Sequence, residues 1–376
     1  MRRASQASLD PTACCFTDIL DIWGDGPRAK CFLNSLGSYE EKLQSAWLLP
    51  CFDSAYCCQH NQFCCYTGSS ERFRVQGPPC VDWSPAGSQQ GIHGEQLPTM
   101  LASGAKTRVT GSQLVGLENV RQLPGHVVQD AFGPGFEFFD AILSPDQVGF
   151  EFMSRERAYF AGVFKEKATW SSDPGFVLQH ALHHLQREAT PKYGPSVLLC
   201  GSPDDIREDN FNLACHRAHL KGTTLSQRMK LPFDHLLNFN ERERLKMYIW
   251  KFHNHNSDRN LCNFADLACH LGDDPRTGWT TWSATSHAMP TLRRSSGLIA
   301  CPNSQRQFLL KELYCGMGFA TWPFLAHTSK VPMFEVSRPG VWTYPQARQA
   351  LGNAQHVACV GTFMACALVS SSPIWT

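Results

Sequence analysis

The 376-residue chain has no uninterrupted apolar run approaching the roughly 20 residues that a bilayer-spanning helix requires. Its first residues, Met1-Arg2-Arg3, lead into polar SQASLDPT rather than into the apolar core of a secretory signal. A protein that is neither secreted nor membrane-bound is expected. Net charge is nearly missing as well: 34 Lys+Arg stand against 33 Asp+Glu, for a formal +1. Internal repeats and low-complexity tracts are absent, which excludes a repeat array. General disorder is excluded by 43% hydrophobic, 11% aromatic and only 18% charged residues, a composition able to bury a core. At roughly 100–200 residues per domain, the length suits two domains or one large domain carrying an insertion.

Cysteine, by contrast, is plentiful, and the 17 present are an odd number. Without a secretory segment most of them read as reduced thiols that pack like small apolar side chains, in a nuclear or cytoplasmic protein. The balanced charge is unevenly spread. Residues 287–376 carry Arg293, Arg294, Arg306, Lys311, Lys330, Arg338 and Arg348 against Glu312 and Glu335, a local +5. Residues 181–260 carry twelve basic and nine acidic side chains, a local +3. A polyanion would favour the C-terminal half, although an ordinary solvated surface has the same signature.

Patterning divides the chain. Cys14 to Trp23 (CCFTDILDIW) reads as a strand or short helix running into the turn Gly24-Asp25-Gly26-Pro27, and YEEKLQSAWLL from Tyr39 has helical spacing. FRVQ is a short strand before Gly77-Pro78-Pro79-Cys80, followed by the loop SPAGSQQGIHG. QLVGLENV (Gln113–Val120), EFFDAIL (Glu137–Leu143) and AYFAGVF (Ala158–Phe164) are further strands, an alternation that suits an α/β sheet with functional groups at strand ends. Residues 171–285 are richer in His, Asn and charge and hold one clear amphipathic helix, Asn240–Phe252. Apolar elements then return, ending in Ala350–Leu368, where Gly352-Asn353 precedes a helix of small residues.

Three places carry candidate chemistry. Cys80 follows two prolines, which stiffen the backbone, and precedes a Gly-rich loop able to move over a ligand, so it is placed as a nucleophile would be. Glu118 ends the next strand; in an α/β sheet it would converge on the same crevice, where a desolvated carboxyl can hold a proton, or it would simply cap a turn. Arg155 and Arg157, two apart before a strand, would turn both guanidinium groups to one face and receive an anion or a base carbonyl, unless they are surface arginines.

Taken in order, GPPCVDWSPAG, LENV, QVGFEFMSRERAYFAG, RQFLLKELYCGMGFATWP and ALGNAQHVACVG resemble the successive motifs of the cytosine-5 DNA methyltransferase family. The resemblance implies a Rossmann-like class I methyltransferase sheet, incomplete at its N-terminus, with an inserted target-recognition domain. The catalytic core would occupy 1–170, the insert 171–285, and the return to the core 286–376. It implies S-adenosylmethionine as methyl donor, DNA or RNA as partner, and a monomer. Cys80 would be the nucleophile attacking C6 of a flipped cytosine, Glu118 would bond and protonate N3, and Arg155 and Arg157 would orient the base. Ser84, with Arg293 and Arg294 of the basic C-terminal portion, would meet phosphates. Asp18, Pro79 and Asn353 would line the cofactor.

Departures from the family are visible too. The Phe-x-Gly-x-Gly cofactor turn is not found; CCFTDILD, with Asp18 toward adenine, is similar to the third motif instead. In a rival mapping Gly24-Asp25-Gly26 serves as a degenerate cofactor loop, with Glu40 or Glu41 on the ribose. Met153 stands in place of the Gln before the arginine pair, and Val81 replaces a Gln after the nucleophile. A catalytically silent nucleic-acid-binding member therefore stays open. CCQHNQFCC (Cys57, Cys58, His60, Cys64, Cys65) offers zinc ligands, but adjacent cysteines do not easily share an ion and no second knuckle exists, so packed thiols are expected and no metal is assigned. His180, His183 and His184 share a helical face without an acidic or Cys partner.

Overall fold

The computed structural model describes residues 18–57, 60–65, 72–188, 194–254, 261–278, 280–294, 297–336 and 343–374. It divides into two compact units. The first comprises Met1–Ser144, Glu156–His184 and Cys359–Thr376; the second comprises Pro145–Arg155 and Leu185–Ala358. The second unit thus runs on to Ala358, whereas a return to the core was expected at residue 286. The helices Leu310–Gly316 and Tyr344–Asn353 pack Leu310, Leu313, Tyr314, Ala347 and Leu351 into the same core as Leu213, Leu236 and Tyr248 of the expected insert.

The first unit is built on a mixed sheet. The strands β1 (Ser54–Cys57) and β2 (Gln62–Cys65) form a separate hairpin. The sheet proper holds β3 (Phe73–Gln76), β4 (Leu114–Asn119), β5 (Phe136–Leu143) and β6 (Arg157–Phe164) in the order β3-β4-β6-β5. β3 and β4 are parallel, while β6 runs antiparallel to both of its neighbours. Alternation sets the layers. Val115 and Leu117 join the core formed with the helices Leu97–Thr110 and Gly125–Phe132, while Gly116 of the same strand faces Met364 of the helix Val357–Ser370. Phe363 of that helix stacks on Phe139, with ring centroids 5.4 Å apart. Helices therefore cover both faces, and the unit is of the α/β class expected from the sequence.

Local chemistry accounts for the entry elements. Asp18 caps a short 3-10 helix, Ile19–Trp23, by accepting from the Leu20 amide at 3.1 Å, and its own amide donates to Asp21 at 3.2 Å. Asp25 caps the helix Gly26–Ser35. Ser38 and Glu41 form a reciprocal capping box on Tyr39–Leu48, each bond 3.1 Å. Gly24 and Asp25 are thus the caps that link two helices, with Gly26 opening the second, and Glu41 is spent on a cap rather than held toward a ribose.

The second unit is mostly helical, with Pro203–His216 and Phe239–Asn254 its long elements. A three-stranded antiparallel sheet of Cys269–His270, Ile299–Cys301 and Arg306–Gln307 lies in it. Arg306 and the fully buried Glu312 are joined by two bonds, of 2.6 and 2.8 Å. The second Glu312 role is structural as well: it accepts from the amides of Gly201 and Leu309, both at 2.9 Å.

One described stretch, Tyr344–Ser370, is long and apolar enough by length and composition to cross a membrane, although polar residues interrupt it. It is two helices broken at 354–356, and the second turns Phe363 and Met364 onto the sheet.

Candidate active site

Register brings the turn that carries Cys80 to the end of the strand that carries Glu118. Gln76 pairs with Leu117 in the parallel β3–β4 ladder, so the turn after β3 and the end of β4 emerge at one edge of the sheet. There the Asn119 amide group donates to the carbonyl of Pro78 at 3.0 Å. Asn119 is 2% exposed, and its other amide atom accepts from the Val120 amide at 2.9 Å. Cys80, two residues beyond Pro78, is half-buried and packs against the core. Glu118, one residue before Asn119, is 7% exposed. Asn119 had no assigned role in the sequence, although it lies inside the LENV motif.

The loop after Cys80 is tied down rather than loose. The Cys80 carbonyl accepts from the amides of Trp83 and Ser84, at 3.1 and 2.8 Å, and Trp83 is buried in the core. Asp82, 1% exposed, accepts from Ser88 Oγ at 3.0 Å and from the Gln96 amide at 2.7 Å, while its carbonyl accepts from the Gly91 amide. A Cβ on Gly94 would lie 1.9 Å from Asp82 Cγ, so only glycine permits this approach. A buried aspartate at the centre of a Gly-rich loop is the signal that sequence reasoning missed. Ser84 is half-buried and accepts from the Ala86 amide at 3.3 Å.

The two arginines do not act as a pair. β6 begins at Arg157, so Arg155 lies outside the strand and the pleat does not align them. Arg157 Nε lies 3.1 Å from Glu118 Oε1, with both side chains largely buried. Arg155 belongs to the second unit, where it is 3% exposed and donates to the carbonyls of Leu292 and Ala354 at 3.2 and 2.7 Å. Arg155 therefore braces main chain.

The expected cofactor residues are less well engaged. Asp18 is exposed and serves as the cap described above, Pro79 is exposed, and Asn353 is exposed at the end of its helix. Preceding it, Gly352 lies against main chain: a Cβ there would come within 2.2 Å of Arg293 C and Arg294 N. A carboxylate in use and one exposed carboxamide fit S-adenosylmethionine only in part.

The basic C-terminal charge is mostly spent inside the second unit. Arg306 is bonded to Glu312, Lys311 reaches Asp205 at 2.8 Å, Arg293 reaches Asp273 at 2.5 Å, and Arg348 donates to the Gly297 carbonyl at 2.8 Å. Arg294 is exposed; Arg338 lies outside the described residues. Arg293 also meets His270, which is 2% exposed. Burial and the Arg293 charge bring the His270 pKa down to about 4. Asp273 is held below the usual carboxylate range, where bonds from Thr281 and Arg293 outweigh the effect of its burial. His180 and His184 are exposed, with Nε2 atoms 3.2 Å apart.

No family model and no curated protein matches the sequence. Solved structures do. A methyltransferase of Entamoeba histolytica, EhMeth, is 11% identical with a TM-score of 0.43, over 89% of this chain and 80% of that one. The Dnmt2 methyltransferase of S. pombe is 13% identical with a TM-score of 0.41, over 79% of this chain and 77% of that one. A DNMT2 mutant of Spodoptera frugiperda is 12% identical with a TM-score of 0.36, over 80% of each chain.

Proposed function

We propose that this protein is a cytosine-5 methyltransferase in kind, acting on a cytosine of DNA through a covalent adduct to Cys80. The observation that carries the reading is the tether between the Pro78 carbonyl and Asn119, which draws the Cys80 turn to the Glu118 end of β4. Cytosine C5 is a poor nucleophile. Addition of the Cys80 thiolate to C6 moves an electron pair to C5, and Glu118, bonded at N3, steadies the ring as that happens. Arg157 acts through Glu118 by holding its carboxyl in place, so it is a positioning residue. Once C5 carries the methyl group, loss of the C5 proton to water expels the Cys80 thiolate and restores the 5,6 double bond. S-adenosylmethionine, when bound, supplies the methyl group; Asp18, Pro79 and Asn353 are the residues of this chain proposed to face it. The base must first leave the duplex, at a cost of a few kcal/mol.

The test is incubation of the full chain with S-adenosylmethionine and an oligonucleotide carrying 5-fluorocytosine, where the fluorine blocks the release step. A denaturation-resistant complex with DNA that Cys80→Ser abolishes is expected. The same complex with RNA alone would transfer the reading to an RNA substrate. No complex with either, and no heat with S-adenosylmethionine in calorimetry, would overturn catalysis and leave a nucleic-acid-binding protein.

A further inference from the structure

The β1–β2 hairpin is not paired with the main sheet, and two strands alone are marginally stable in water. β2 buries little: Gln62, Phe63 and Cys65 are exposed and Cys64 is half-buried. The register pairs Cys57 with Gln62 and Ala55 with Cys64, so Cys57 and Cys64 are diagonal neighbours on one face. Ala55 and Cys57 are buried on that face, while Tyr56 and Phe63 meet edge to face on the other, with centroids 6.1 Å apart. His60 sits in the connecting turn and swings its ring back over the cysteines. His60 Nδ1 lies 3.6 Å from Cys57 Sγ and 3.4 Å from Cys64 Sγ, and the three ligand atoms all fall within 4.8 Å of one another.

Two sulfurs and a ring nitrogen converge on one point, which is the arrangement a metal ion requires. With Zn–S of about 2.3 Å and Zn–N of about 2.0–2.1 Å in a tetrahedron, sulfur and nitrogen ligands are separated by roughly 3.5 Å. Both contacts of Nδ1 have that separation. Two soft thiolates and one imidazole form a donor set for zinc, and alkaline-earth ions prefer oxygen.

We propose that Cys57, His60 and Cys64 supply three ligands of a zinc site that staples the hairpin, with solvent in the fourth position. Cys65, adjacent to Cys64 on the strand, points to the opposite face and is not a ligand. Binding displaces the thiol protons, so the hairpin gains order as metal is taken up.

The test is elemental analysis of the full chain purified from zinc-supplemented medium, followed by replacement with cobalt. About one zinc per chain is expected, with thiolate-to-cobalt charge-transfer absorption after exchange. Cys64→Ser and His60→Ala should each lose the metal and the absorption, and Cys65→Ser should keep both. His60 is exposed, so its replacement spares the core even if Cys57 variants fail to fold. Absence of metal from the wild type would overturn the proposal, as would metal that survives both the Cys64 and the His60 substitutions. Neither outcome bears on the Cys80 adduct.

Discussion

The Asn119 carboxamide donates to the carbonyl oxygen of Pro78 at 3.0 Å, across 41 residues of chain. The bond joins the end of the strand that carries Glu118 to the turn that carries Cys80. Asn119→Ala removes the donor from a buried carbonyl. A loss of about 1–3 kcal/mol in urea-induced unfolding is expected. A larger fractional loss is expected in the rate of the Cys80 adduct with 5-fluorocytosine DNA. An adduct rate unchanged beside a clear stability loss would make the bond a packing feature only.

The Glu118–Arg157 ion pair is shielded, at 8% and 15% side-chain exposure. Arg157→Met leaves the Glu118 carboxyl without its cation, a change of about 3–5 kcal/mol for a buried pair. Glu118→Gln combined with Arg157→Met should recover much of that loss, because no charge is then stranded. The measurement is a double-mutant cycle by chemical denaturation. Additive single effects would show that the two side chains do not sense each other.

Part of this was legible in the sequence, and the limits have physical causes. Strands at FRVQ, QLVGLENV, EFFDAIL and AYFAGVF were readable because short apolar runs bounded by turn residues have few other solutions. The capping box at Ser38 and Glu41 was not used, although its spacing is local. Pairing Arg155 with Arg157 failed because the strand begins at Arg157, and a one-residue boundary decides which face a side chain takes. The positive charge of 287–376 was misleading for another reason. Its partners Asp205 and Asp273 lie up to 106 residues away along the chain, beyond any local count. Asp82 was overlooked because a loop aspartate ordinarily points to water, whereas here Gly94 makes room for it.

Acid should weaken the second unit, and His356 provides the cleanest probe. The ring is fully buried, with Nε2 facing the Gly316 carbonyl at 3.1 Å. Burial lowers its pKa from 6.5 to about 4. A histidine depressed in the fold stays neutral there while the unfolded chain takes up a proton. Stability is therefore complete above about pH 6.5 and falls as pH drops toward 4, by up to about 3 kcal/mol. His270 moves in the same direction. Asp209 opposes them: burial raises its pKa to about 6, so the cost of its ionisation fades over much of the same window. The difference between wild type and His356→Phe isolates the contribution of this histidine. The variant's unfolding midpoint should fall less steeply between pH 6.5 and pH 4, and parallel curves would show that His356 is already charged in the fold.

Gly352 and Asn353 are adjacent but should fail in different ways. The end of the helix Tyr344–Asn353 lies so close to the Arg293–Arg294 main chain that a Cβ on Gly352 would sit 2.2 Å from two backbone atoms. Backbone cannot rotate aside as a side chain does, so Gly352→Ala must displace one segment, at about 1–3 kcal/mol for an overpacked site. Asn353 is exposed. Asn353→Ala should change stability by less than about 0.5 kcal/mol, the usual range for a surface substitution. If Asn353 helps hold S-adenosylmethionine, the same change should weaken cofactor binding in calorimetry while the denaturation curve stays in place. A loss of affinity in Gly352→Ala alone would assign the effect to the helix end, and Asn353 would then have no part in the cofactor site.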